Sequence, residues 1–176
     1  GHEPYMAVVL DRRWNVVASN GAAGRFMSLL FPHPPDWVGA PLNLMRLSFH
    51  PDGLRRHMIS WDATATHLLR RLERDAAAHP HDAGLRDLLA EVRSYPDVPA
   101  LELARGEASA TDLVVPTTYL IGDREVSMFT TIAIIGDAHD LTLAELRIET
   151  FWPADEASAT AWGDLVVRIQ DDPGGD

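Results

Sequence analysis

Apolar positions recur along this chain with two different periods, and the change of period divides it into three regions. Residues 5–10, YMAVVL, and 14–19, WNVVAS, are short apolar runs joined by Asp-Arg-Arg, a link of hairpin length. They predict two strands, the second with Trp14, Val16 and Ala18 on one face. Asn20 stands where a helix cap belongs, ahead of Ala22, Ala23, Phe26, Leu29 and Leu30 at helical spacing. Prolines hold residues 31–37 out of helix and sheet. From residue 43 the helical period takes over. NLMRLSF predicts one or two turns, and Asp52 is placed to cap GLRRHM. Ser60 precedes the longest pattern of the chain. Its stripe is Trp61, Ala65, Leu68, Leu69, Leu72 and Ala76, with Asp62 in the first turn, where the helix dipole favours an acid. A second helix starts at Asp82 with Leu85, Leu88, Leu89 and Val92 inward, and SYPDVP breaks it.

In the last third the period falls to two. DLVVPTTYLIG alternates Leu113, Val115, Thr117, Tyr119 and Ile121, and Gly122-Asp123 is a hairpin turn. REVSMFTTIAIIG puts Val126, Met128, Thr130, Ile132 and Ile134 together, and GDAHD is the next turn. LTLAELRIETFW puts Ala144, Leu146, Ile148, Thr150 and Trp152 on one face and Glu145, Arg147 and Glu149 on the other. Two strands, several helices and three strands predict an α+β fold: a five-stranded antiparallel sheet with helices covering one face and the charged face turned to water or a partner. That order is the one found in PAS-type sensor domains, where the helices between the second and third strands cover the sheet and enclose a cavity. The block 43–82 is then a lid, with its apolar stripe on the sheet and Arg55, Arg56, Arg70, Arg71 and Arg74 facing water. Arg46 differs, because it lies inside an apolar run. A half-buried guanidinium needs a carboxylate, from the protein or from a ligand.

Composition narrows the function. The chain has 176 residues, of which 46% are apolar, enough for one core and short of any membrane-spanning run. There is no cysteine, which excludes thiol catalysis, disulfides and thiolate metal sites and agrees with a cytoplasmic setting. The net charge is −11, so this segment is not expected to grip a phosphate backbone. All fifteen basic residues are arginine, a coding bias rather than a binding surface. The Gly-His start has neither the basic region nor the cleavage pattern of a signal peptide and suggests a natural chain that is longer.

The motifs of catalysis are missing. There is no G-x-S-x-G elbow, no H-E-x-x-H and no glycine-rich phosphate loop. His79, His81 and Asp82 form a turn with a helix cap, short of a metal set without a third ligand from elsewhere. His57 and Trp61 are four apart and stack if one helix carries both. No cofactor is marked.

Longer stretches resemble a known family. HEPYMAVVLDRRWNVVASNGAAGRF resembles the start of the ligand-binding domain of MmyB-like transcription regulators, and residues 43–82 resemble its central block through NLMRL, Pro51, Trp61, Arg70-Arg71 and HPHD. VSMFTTIAIIGDAHDLTLAELRIETFWPADEA is similar to its last hairpin and closing PAD. The resemblance implies a PAS-like sensor domain, spanning residues 3–170 here, that follows an XRE-type helix-turn-helix in a bacterial regulator. DNA is then a partner of the parent protein only. It also implies a small lipophilic ligand, such as a fatty acid. The wall expected for its pocket is Phe26, Leu30, Leu44, Met45, Met58, Trp61, Leu68, Met128, Ile132, Leu146 and Ile148, with Arg46 or Tyr119 meeting a carboxylate head. The same residues could instead simply fill a core. Two other classes stay open. An NTF2-like enzyme would place His and Asp inward on its strands, and a plain dimerisation module would need no pocket. A homodimer is expected, through the outer sheet face or the segment 154–167 with its apolar Trp162, Leu165 and Val166.

Overall fold

The computed structural model describes residues 2–33, 35–98, 116–135 and 146–171. Five strands form one antiparallel sheet in the order β2-β1-β5-β4-β3. They are β1 (Ala7–Leu10), β2 (Val16–Ser19), β3 (Thr117–Ile121), β4 (Arg124–Ile135) and β5 (Leu146–Pro153). Helices α1 (Gly21–Leu30), α2 (Leu44–Phe49), α3 (Trp61–Ala78) and α4 (Ala83–Ser94), with a 3-10 turn at Leu54–His57, lie between β2 and β3, and α5 (Glu156–Asp171) closes the chain. This is the α+β, PAS-like arrangement that the alternation predicts. The expected positions Leu113, Val115, Ala144 and Glu145 and the turn at 136–140 lie outside the described residues.

Local chemistry sets most boundaries. Asn20 caps α1 by accepting from the Ala23 N–H at 3.1 Å, and Asp82 caps α4 by accepting from Leu85 at 3.3 Å. Asn43 caps α2 in the same way, through the N–H groups of Met45 and Arg46. One expected cap acts otherwise, and the residue before α3 makes other bonds. Asp52 pairs with the Arg56 guanidinium, and no side chain caps the turn that follows. The Ser60 hydroxyl bridges to Thr64 and accepts from Thr118 N–H, tying the start of α3 to β3. The 3-10 turn ends before α3 begins, so His57 meets Phe31 while Trp61 meets Phe49. Gly122 supplies the positive φ of 64° for the β3–β4 turn.

The buried side chains fall into two clusters. The first joins α1, the 3-10 turn, β3, β4 and α5 through Phe26, Met58, Tyr119, Val126, Met128 and Trp162. The second packs α2, α3 and α4 on β1 through Leu10, Trp14, Met45, Phe49, Leu69 and Leu72. Val8 and Trp61 touch both. Trp162, Leu165 and Val166 are buried within the chain, Trp162 to 1% exposure, and the Trp162 Nε1–H donates to the Pro4 carbonyl at 2.9 Å. The terminal helix therefore spends its apolar face on its own sheet, which removes those residues from the expected dimer interface.

Two strand faces differ from the alternation, and a third keeps its face but not its burial. On β5, Glu149 pairs with Val8, and Arg147 with the fully buried Leu10. Cross-strand partners share a face, so Arg147 and Glu149 point to the helices and Leu146, Ile148, Thr150 and Trp152 point away. The expected inward face of β5 is reversed. On β4 the register keeps Val126, Met128, Thr130, Ile132 and Ile134 toward the helices, yet Ile132 is 43% and Ile134 75% exposed. A register shift in the β1–β2 pair puts Val16 beside Leu10 but Ala18 beside Val9, so Val16 and Ala18 do not share a face.

Candidate ligand-binding site

A polar seam separates the two apolar clusters, and it is built from α3 above and the sheet below. On α3, Thr64, Arg71 and Asp75 follow at i, i+7 and i+11, which puts them on one side of the helix. The Arg71 Nη2–H donates to Glu149 Oε1 at 2.6 Å, with side-chain exposures of 11% and 3%. Arg71 was expected to face water. Its partner on β5 draws it under the lid instead. Arg147 Nη1–H donates to Asp75 Oδ2 at 2.8 Å, and its Nη2–H to the Arg12 carbonyl at 3.1 Å. Both guanidiniums pack over the Trp14 indole, Arg71 at 4.6 Å and Arg147 at 4.0 Å from the ring centre. Its Nε1–H donates to the same Asp75 oxygen at 2.9 Å.

Trp14 holds this place in an unusual backbone state. Its φ is 66°, a region that bulky residues rarely adopt. The β1–β2 turn is fixed around it: Trp14 N–H bonds to the Asp11 carbonyl, and the Asp11 carboxylate accepts from both the backbone and the side chain of Asn15. The left-handed residue turns the indole under α3, where it is fully buried.

Toward β3 the seam continues through hydroxyls. Thr64 Oγ1 and Thr117 Oγ1 are 3.3 Å apart. Tyr119 is buried, its ring edge-on to Phe26 at 5.2 Å between centres. Burial pushes its phenol well above the ordinary range, and the nearby negative charge of Glu149 adds to the rise.

The residues expected to line a pocket divide among these regions. Phe26, Leu30, Met58, Tyr119 and Met128 lie in the first cluster, and Met45 lies in the second, with Leu44 and Leu68 packed against it. Trp61 bridges the two. Ile132 lies on the helix-facing side of the sheet beside Glu149, its β5 partner. Leu146 and Ile148 lie on the outer face, apart from the others. Arg46 is also apart. Its side chain is 46% exposed and its Nε–H is shared between the Glu91 oxygens at 2.9 and 3.0 Å. Burial alone would raise the Glu91 carboxyl, but hydrogen bonds from Arg46 and Tyr95 outweigh it and hold the group below its usual value. In turn burial and that bond push the Tyr95 phenol up to about 12. Arg46 thus finds its carboxylate on α4. The crevice beside it, lined by Trp37, Leu42, Asn43 and Leu47, holds about 20 Å³, room for a water molecule.

Trp14, Thr64, Arg71, Asp75, Arg147 and Glu149 carry the seam, and the expected pocket wall included none of them. One signal was present in the sequence: the i, i+7, i+11 run of polar residues along the border of the α3 stripe. Among the described residues, no three His, Asp or Glu side chains are grouped to hold a metal ion.

The open five-stranded antiparallel sheet, its helical layer and the paired polar seam beneath α3 define an α+β domain. The model of the MmyB-like transcription regulator ligand binding domain matches residues 1–165, and the chain belongs to that family. It is a ligand-binding domain of a transcription regulator. A comparison with curated proteins finds no match.

Proposed function

We propose that residues 3–170 form one sensory unit that binds a small lipophilic ligand, such as a fatty acid, between the sheet and the α3 lid. The observation that supports this most directly is the uncovered strip of β4. Ile132 and Ile134 face the helical side of the sheet, yet they are 43% and 75% exposed, next to a buried polar seam. Apolar walls with a few convergent polar groups are what ligand sites consist of. The three methionines of the adjoining cluster, Met6, Met58 and Met128, suit ligands of varied shape. Binding would act on the lid through contacts made in only one of its positions.

In the parent regulator this unit would work in the cytoplasm beside an XRE-type helix-turn-helix, which would carry the DNA contacts. The domain itself, at a net charge of −11, binds no duplex and catalyses nothing in this reading. It pairs as a homodimer through the outer face of the sheet, where Val17, Leu120 and Trp152 are exposed. The NTF2-like alternative needs His and Asp converging under the helices, whereas the seam joins its acids to arginines.

Native mass spectrometry of the purified domain, followed by titration with saturated fatty acids of graded length, tests the central reading. A retained lipid or saturable binding is the expected result. A lipid-free protein that no chain length binds or stabilises would overturn it. Light scattering tests the assembly, and a monomer at high concentration removes the dimer.

A further inference from the structure

One edge of β4 outruns its neighbour. Thr118 of β3 receives the Ile59 N–H on its carbonyl and gives its own N–H to the Ser60 hydroxyl, both on the side away from β4. Backbone groups alternate in direction along a strand, so Thr117, Tyr119 and Ile121 turn theirs to β4, where they meet Met128, Val126 and Arg124. The same alternation along β4 sends the N–H and C=O groups of Thr130, Ile132 and Ile134 toward the β3 side, past the first residue of β3 at Thr117. The other edge agrees. Ser127, on the opposite phase, accepts from Ala154 N–H, and Phe151, the β5 partner of Thr130, spends its N–H on the Met6 carbonyl. Among the described residues no strand pairs with β4 on the β3 side beyond Met128.

Natural sheets blunt an open edge with a lysine, a proline or a bulge. This one has none of them. Residues 126–135 carry neither charge nor proline, and the β4–β5 register runs unbroken from Met128 to Ile135. The side chains at the edge are unspent as well, with Ile132 43% and Ile134 75% exposed. Charge selects the occupant. At −11 overall, two copies of this chain repel wherever their charged surfaces meet. A two-fold contact sets one patch against itself, and like charges directly opposite are destabilising, so copies can meet only along an uncharged stretch. We infer that the free edge of β4 pairs antiparallel with the same edge of a second copy, the two-fold axis passing at Ile132. Ile132 then faces its own copy, and Thr130 of one chain faces Ile134 of the other. These are β-branched residues that suit a pleated surface. The contact joins two sheets into one and leaves the outer face free. It rests on the edge geometry and not on the lipophilic reading.

The chain has no cysteine, so a single introduced thiol reports without background. A short bis-maleimide should join two full chains of Ile132→Cys about tenfold faster than two of Ile134→Cys, because copies of position 134 lie about 13 Å apart in this register. Ile132→Lys sets two ammonium groups opposite each other and should lower the mass seen by light scattering at high concentration by about half, with the unfolding midpoint kept. The amides of Thr130, Ile132 and Ile134 should exchange more slowly as the wild-type concentration rises, and stay fast in Ile132→Lys. Equal cross-linking at the two positions overturns the inference. So does slow exchange that persists in a monomer, which would put the partner strand within the same chain. Trp152→Lys answers separately for the outer face. An assembly lost with Trp152→Lys and kept with Ile132→Lys sinks the edge contact and leaves the outer-face dimer standing.

Discussion

The two apolar clusters are made of similar material and are finished differently. In the α2–α3–α4 cluster, Leu10, Trp14, Met45, Phe49, Leu72, Leu85 and Val92 are sealed completely from water. In the α1–β3–β4–α5 cluster most members keep a few per cent of exposure, and three of the buried side chains are methionines. A sealed core of fixed shapes positions; a core with thioethers and slack can repack. The α3 lid is anchored in the first kind through Leu69 and Leu72, and its start at Trp61 reaches the second. The difference teaches where movement belongs: the lid has a sealed far end, which also carries the charged Arg71 and Asp75, and an adaptable near end.

The largest break in that comparison comes from the seam. Glu149→Ala strands the Arg71 guanidinium under the lid and should cost about 3–5 kcal/mol, read from urea unfolding. The double replacement Arg71→Met with Glu149→Leu should restore most of it, since no buried charge is then unpaired. A double variant as unstable as the single one would mean that the pair stabilises by more than mutual compensation. Next come the clusters themselves. Leu72→Ala should cost about 2–5 kcal/mol, while Met128→Leu on the other side should cost less than about 1.5 kcal/mol. Comparable costs would erase the distinction between a sealed and a yielding core.

The smallest expected effect lies at the surface. The Arg46–Glu91 pair is largely exposed, so Glu91→Gln should cost at most about 1 kcal/mol at neutral pH. Its sign with pH is fixed by the depressed carboxyl. A folded-state value below the unfolded one gives stability that is present above the ordinary carboxylate value of 4.5 and is lost as acid carries the pH down through the folded value. The wild type should therefore lose its advantage over Glu91→Gln on acidification, in denaturant midpoints measured across that range. Arg46→Ala should leave ligand affinity unchanged.

What could be read from the sequence was local. Asn20 and Asp82 announce their helices because a cap acts within four residues, and the succession of strands and helices along the chain follows from period and turn chemistry. The face of β5 could not be read that way. Its alternation is clear, but which side faces the helices depends on Asp75 and Arg71, 72 and 78 positions away, which supply counter-charges for Arg147 and Glu149. Without those partners, apolar-inward is the right expectation. Arg46 shows the opposite case. Its setting called for a carboxylate, and one on α4 answers it at 2.9 Å. The terminal helix shows a third: Trp162 signalled burial correctly, but nothing in its own segment says that the cover is the same chain.

Trp14 has a consequence for anyone who redesigns this domain. By backbone preference alone, position 14 asks for glycine or asparagine, and a stability-guided redesign would be drawn to that change. The relaxed hairpin would then lack the plate on which both guanidiniums lie and the donor that holds Asp75. Local improvement and global folding pull in opposite directions at this one residue. A deep mutational scan should find it intolerant of the very substitutions its dihedral angle recommends.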